Sequence, residues 1–398
     1  MTRILMIANT LPPADISGVG EQVLQLAAGL RDRGLEVEVL GRRGRGGEHR
    51  TGARGPKVLF PLAIVPAVWR RLREFRPDVV QVHESDGAFA ALITVLLRPW
   101  LAFRGGPRPK LIALLQVSYV REMRATRPLT DRGRVIGLPG KVERRFRWFK
   151  GPLQVQLGRL TARLADQVLA PSQVTARELE KDYRVGPVAV LPNVTGGLPV
   201  QPEPCPALVG EPPGYLLFVG RLRVRKGVEV LLEALAGTTD VLASGRLLIA
   251  GDGEHREALE SCSARLGLGE RVRFLGRTTP GQVRTLLASA SALVVPSIYE
   301  GMPLVVLEAM EAAVPVVASR VSGIPEVVVD GETGWVVRPE NTKVLRAALR
   351  QVLDAPPEAR RRGAAGRERL DRLYRPAVSA ALWHDQVLGS YPVGEETA

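Results

Sequence analysis

The stretch PSIYEGMPLVVLEAMEAAVPVVAS, residues 296–319, holds a strand end, a turn, a helix and the next strand in one continuous run. The apolar run ALVVPS (292–297) leads in as a strand, and the chain turns through Glu300 and Gly301. Pro303 then sits near the first position of a helix, where its missing N–H has no intrahelical partner to lose. VPVVAS (314–319) follows as the next strand. A glycine turn feeding a helix start aims free backbone N–H groups and the positive helix end at an anion such as a diphosphate. Glu308, further along the helix, offers a carboxylate to a vicinal diol such as a ribose, and Glu300 is placed to reach sugar hydroxyls.

Working outward, the same alternation of apolar runs with helical-period segments covers the chain, the pattern of parallel α/β units. RILMIAN (3–9), LEVEVLG (35–41), DVVQVH (78–83), KLIALLQV (110–117), DQVLAPS (166–172) and VAVLPN (188–193) read as strands of a first half. YLLFVG (215–220), RLLIAG (246–251) and RVRFLG (271–276) join those already quoted in a second half. Between the halves, residues 197–214 are dense in proline and lack periodicity, so they read as an interdomain linker. Residues 41–56 read as a basic, Gly-rich loop. The expected organisation is an N-terminal domain at 1–196, the linker at 197–214, a C-terminal domain at 215–372, and a C-terminal helix and tail at 373–398. Val378, Leu382, Trp383 and Val387 give that helix its spacing. Ligands of such sheets bind outside the carboxyl ends of the strands, so a cleft between the halves is the expected site.

The chain has 398 residues, enough for two cores, with 45% hydrophobic and 24% charged residues. Its two cysteines, Cys205 and Cys262, have no metal-type spacing and suggest a reducing compartment. The opening residues read as a strand and not as a leader, and the apolar stretch 88–103 is broken by Arg98, so a cytoplasmic protein is expected. The net charge is +14, and residues 101–150 alone hold 13 Lys and Arg against three acids. Within that region KVERRFRWFKG (141–151) sets Phe146, Trp148 and Phe149 among cations. One reading is an anionic membrane surface or a lipid-phosphate acceptor; the other is a solvated helix with its aromatics turned to the core. No nucleic-acid recognition motif accompanies the charge, so no nucleic acid is expected as a partner.

Several segments together resemble the family 4 glycosyltransferases, retaining enzymes of GT-B fold. The resemblance rests on Ser297, on Glu300, Gly301, Met302 and Pro303, and on Glu308, Ala309 and Met310. It continues through GIPE (323–326) and DGETGW (330–335), and upstream through FVGRLRVRKG (218–227), IAGDG (249–253) and RVRFLGR (271–277). It implies two facing Rossmann-like domains with a cleft between them and a C-terminal helix returning to the first domain. It also implies transfer of a hexose-type sugar from a nucleotide diphosphate sugar to a hydroxyl acceptor, lipid-linked or a glycan, with retained configuration. By resemblance Arg221 and Lys226 contact the donor phosphates, as two cations stabilising a departing diphosphate would. Gly301, Met302 and Leu304 are placed at the donor, with Gly251 behind it, and Gly18 and Gly20 in a glycine loop under the phosphates or near the acceptor. His83, ending a strand, is a candidate acceptor-site residue. No Asp-x-Asp occurs, so neither a metal nor a cofactor beyond the sugar nucleotide is expected.

Two departures from the family stand out. Where many relatives carry a histidine near the sugar, this chain reads Gln116-Val117-Ser118, and where many read Asn-Gly-Val it has Asn193-Val194. Gln116 can substitute as a neutral hydrogen-bonding group. The first departure also keeps open an alternative, a catalytically silent sugar-nucleotide-binding partner protein.

Overall fold

A computed structural model describes residues 1–11, 18–42, 52–53, 59–196, 200–236 and 246–389. The chain divides into two compact units. Unit 1 comprises Met1–Tyr119, Pro152–Leu198 and Tyr374–Ala398; unit 2 comprises Val120–Gly151 and Pro199–Leu373. The strands in chain order are β1 (Arg3–Ile7), β2 (Glu36–Arg42), β3 (Gly52–Ala53), β4 (Val79–His83), β5 (Lys110–Leu114), β6 (Leu129–Asp131), β7 (Arg134–Gly137), β8 (Gln167–Ala170) and β9 (Ala189–Val190). They continue as β10 (Tyr215–Val219), β11 (Leu247–Ala250), β12 (Val272–Gly276), β13 (Ala290–Val295), β14 (Val316–Ser319) and β15 (Gly334–Val337).

In unit 1 the parallel sheet runs β3-β2-β1-β4-β5-β8-β9, and its central strand β4 is buried throughout. Continuous apolar runs suit strands covered on both faces. The helix Pro376–Val387 closes this unit: Ala380, Trp383 and Val387 enter the same core as Ile4, Met6, Leu26 and Leu30. A side chain at Gly29 would meet the Pro376 carbonyl at 2.8 Å, so the glycine lets that helix lie against Gly18–Asp32. The spacing placed Val378 on the buried face, but it is exposed, and Ala380 takes the inward position.

The apolar helix Ala88–Phe103 belongs to unit 1 as well. By length and composition alone the stretch Ser85–Phe103 could cross a membrane. Its Arg98 is nevertheless buried, with Nη1 3.2 Å from Asp166 and Nη2 donating to the Pro109 carbonyl at 2.8 Å. That pairing, with Ala88, Ala90, Ala91 and Leu101 buried, explains why a cation interrupts the run.

In unit 2 the parallel sheet runs β12-β11-β10-β13-β14-β15 around a core that includes Leu216, Phe218, Leu231, Ile249 and Val294. Two boundaries differ from those expected from the sequence. Val120–Gly151, assigned by its position to the first domain, packs with unit 2. Its antiparallel hairpin β6–β7 buries Leu129 in the unit 2 core, and Asp131 accepts from the backbone N–H and hydroxyl of Thr342 at 3.1 and 3.0 Å. Arg127 and Thr130 both donate to Glu340. The Pro-rich segment is also not a free linker over its described part. Thr279 and Thr285 donate to Glu203, and the buried Glu211 carboxylate bridges Arg246 and Arg273. Residues 197–199 and most of the basic loop 41–56 lie outside the described residues.

Candidate active site

Strand order reverses between β10 and β13 in unit 2, because β10 sends its successors to one side and β13 to the other. At such a switch point the loops leaving neighbouring strands part and open a crevice at the carboxyl ends. The loops here are residues 220–227, after β10, and residues 296–303, after β13. They carry Arg221 and Lys226 on one side and Ser297, Glu300, Gly301 and Met302 on the other.

Backbone contacts fasten these loops together. The Ile298 N–H donates to the Arg225 carbonyl at 2.9 Å, and Arg225 Nη1 returns to the Tyr299 carbonyl at 3.1 Å. Gly227 has φ of 67°, and a side chain there would meet the Pro296 carbonyl oxygen at 2.1 Å. Only glycine permits that approach without strain. The IAGDG turn serves the same loop from the other side. A Cβ on Gly251 would lie 1.9 Å from the Gly220 carbonyl oxygen, and one on Gly253 2.2 Å from that of Leu222. The close approach these glycines allow is thus to the Arg221-bearing backbone.

Glu300 is buried where the two loops meet. Its carboxylate pairs with Lys226, accepts from the Ser297 hydroxyl at 2.7 Å, and lies 3.8 Å from Arg225 Nη1. Burial alone would raise this carboxyl. Lys226 and Arg225, with the hydrogen bonds from Lys226 and Ser297, outweigh it and hold Glu300 below the usual carboxylate range. Burial lowers the Lys226 ammonium, Glu300 opposing that shift and Arg225 reinforcing it. Glu300, expected at the sugar hydroxyls, therefore orients cations in this structure. Arg221 has a side chain 61% exposed and, among the described residues, a single 3.4 Å ion pair with Glu254, which leaves the guanidinium accessible.

The turn after Glu300 is tied to the loop that follows β14. The Ser322 hydroxyl accepts from the Glu300 N–H at 3.2 Å, and the Gly323 N–H donates to the Gly301 carbonyl at 3.1 Å. Pro303 caps the helix Leu304–Glu311, one residue before the position expected for it. Gly301 and Met302 are buried, Leu304 opens the helix, and Glu308 sits half-buried in its second turn. Glu308 lines a cavity of about 400 Å³ with Arg284, Glu311 and Arg367.

Sequence reasoning missed Glu122 and Glu143, which reach this loop from the 120–151 segment. Glu143 accepts from the Val224 N–H at 2.9 Å and from the Gly140 N–H at 3.1 Å, and Glu122 lies 3.4 Å from Arg225. The available signal was that Glu122, Asp131 and Glu143 are the three acids in a strongly basic stretch.

Unit 1 has its own switch point between β1 and β4. Gly18 is exposed at the start of its helix, while Gly20 is buried, and a Cβ there would meet the Thr10 carbonyl oxygen at 1.9 Å. His83 is buried, which pushes its imidazole down to about 3 and keeps it neutral. Trp383 Nε1–H donates to Gln81 Oε1 at 2.6 Å, so Gln81 turns its amide nitrogen to His83 Nε2, 3.0 Å away. That donation puts the imidazole proton on Nδ1, which has no partner among the described residues. Glu84 follows with φ of 62°, held in the left-handed region as its carboxylate accepts from the Gln116 N–H and the Tyr119 hydroxyl. The first departure has a partner in the fold: the Gln116 amide pairs with that of Asn193, a residue the family pattern shares, through two hydrogen bonds of 2.9 and 2.8 Å. Gln116 is therefore engaged by Asn193 in the place of the histidine.

Two parallel α/β units, a C-terminal helix closing the first, and a cationic switch-point crevice in the second define a GT-B glycosyltransferase. The family model described as Glycosyl transferases group 1 matches residues 207–369, and that described as Glycosyltransferase Family 4 matches residues 16–195. The glycogen synthase of Mycobacterium tuberculosis is 29% identical over 404 residues, covering 92% of this chain and 90% of its own. The alpha-D-kanosaminyltransferase of Streptomyces kanamyceticus is 36% identical over 176 residues, 44% of this chain and 45% of its own. Among solved structures, a sucrose-phosphate synthase from Thermosynechococcus elongatus superposes with a TM-score of 0.76 at 22% identity, covering 98% of this chain and 100% of its own. Anabaena Alr3699/HepE in complex with UDP-glucose does so with 0.71 at 18% identity, over 98% and 100%. The chain belongs to the family 4, or group 1, glycosyltransferases.

Proposed function

We propose that this glycosyltransferase moves a hexose-type sugar from a nucleoside diphosphate to a hydroxyl acceptor, lipid-linked or a glycan, with retention and without a metal. The supporting observation is the Lys226–Glu300–Arg225 cluster at the β10/β13 switch point, with Arg221 exposed beside it. As the sugar C1–O bond to the diphosphate breaks, negative charge develops on the leaving oxygen. Lys226, Arg221 and the N-terminal end of the helix Leu304–Glu311 supply fixed positive charge to stabilise it. Glu300 keeps Lys226 in place, and Glu308 holds the ribose. The acceptor oxygen bonds C1 on the face the diphosphate leaves, and its proton passes to the departing phosphate oxygen. The buried free thiols of Cys205 and Cys262 fit a cytoplasmic setting.

A panel of sugar nucleotides with broad acceptors, read by NMR for anomeric configuration and repeated with a chelator, tests this. Retained configuration and undiminished turnover with chelator are expected. Donor binding with neither transfer nor slow hydrolysis would instead support a silent binding partner, which the Gln116–Asn193 pair favours. Glu308→Ala is expected to weaken nucleotide binding about tenfold, as loss of a charge-assisted hydrogen bond would.

A further inference from the structure

We propose that residues 138–150 form a docking surface for an anionic lipid bilayer. The segment Val120–Gly151 sorts its charges by face. Its three acids all turn into unit 2: Glu122 toward Arg225, Asp131 onto Thr342, and Glu143 onto the Val224 N–H. Lys141, Arg144, Arg145, Arg147 and Lys150 are left exposed, with no exposed acid among them. Within this basic field the Trp148 and Phe149 rings are 71% and 74% exposed, and Leu138 and Val142 are exposed as well. The aromatics are therefore not turned to a core; of the three, only Phe146 is half-buried.

An exposed indole and phenyl among cations match the two demands of an interfacial site. Aromatic rings partition to the headgroup level, and apolar burial with electrostatic attraction together give stable binding where either alone is marginal. Each Lys or Arg near an anionic leaflet contributes roughly fivefold in affinity. The segment has a firm base for such a load. Leu129 is buried in the unit 2 core, and Arg127 Nη1 donates to Glu340 at 2.9 Å.

The test is co-flotation of the full chain with vesicles of phosphatidylcholine containing about one third phosphatidylglycerol, against pure phosphatidylcholine. Binding to the anionic vesicles is expected, weakened at high salt. The pairs Trp148→Ala/Phe149→Ala and Arg144→Glu/Arg145→Glu should each reduce it at least tenfold, with nucleotide binding and thermal midpoint unchanged. Absence of binding to anionic vesicles, equal binding to both vesicle types, or equal binding by the variants would overturn the proposal. So would a lipid-free dimer that the Trp148→Ala/Phe149→Ala variant dissociates, because the rings would then cover a second copy of this chain.

Discussion

At the β1/β4 end of unit 1 the buried polar groups are largely neutral amides, an indole and an imidazole; at the β10/β13 end of unit 2 they are ions. Trp383, Gln81 and His83 form a hydrogen-bonded line in which no group carries charge. Lys226, Arg225 and Glu300 form a cluster in which each does. Both stand where strand order reverses in a parallel sheet, so the fold alone does not decide between them. Transfer from a diphosphate needs fixed charge only where the diphosphate departs. Binding a hydroxyl needs aimed hydrogen bonds, which neutral groups supply without the desolvation cost of a buried ion.

The largest way to break this contrast is to strip one ion from unit 2. Glu300→Ala leaves Lys226 and Arg225 without their buried counter-charge, and should cost about 3–5 kcal/mol by chemical denaturation. Turnover should fall by about 10²-fold or more. The double variant Glu300→Leu/Lys226→Met should regain much of the stability and none of the turnover, which separates the two effects.

Acid should divide the two units. The His83 imidazole titrates near 3 when folded and near 6.5 when unfolded, so its contribution to unit 1 is complete above pH 6.5 and is lost as pH falls toward 3. The loss amounts to about 1.4 kcal/mol per pH unit. Glu300 has a folded value below its unfolded one, so its contribution holds above about pH 4.5 and is lost only as pH drops through the lower folded value. Hydrogen exchange between pH 6.5 and 5 should therefore show unit 1 loosening before unit 2, and His83→Asn should remove that slope. A smaller effect is expected at Glu143. Glu143→Gln weakens its hold on the Val224 N–H, and should cost about 1 kcal/mol and raise the donor KM several-fold with little change in kcat.

Much of unit 2 was legible because β10 to β14 are apolar runs closed by Gly, Ser or Pro, and their loops carry the charged residues. Gly251 stood out in the IAGDG segment, yet the oxygen that demands it, on Gly220, is distant in sequence. The place of Val120–Gly151 could not be read from periodicity. Its attachment depends on pairs such as Asp131–Thr342 and Arg127–Glu340, more than 200 residues apart. Glu300 and Lys226 were each recognised as site residues, but their pairing was not, because spacing along the chain does not show that two strand-end loops converge.

Calorimetric titration of UDP, ADP and GDP into the intact protein, its Lys226→Met variant and its Arg221→Ala variant bears most directly on the donor site. One nucleotide should bind the wild type, and each variant should lose at least tenfold in affinity while its circular dichroism stays native. Equal affinity for that nucleotide in all three proteins would contradict a donor diphosphate seated at the β10/β13 switch point.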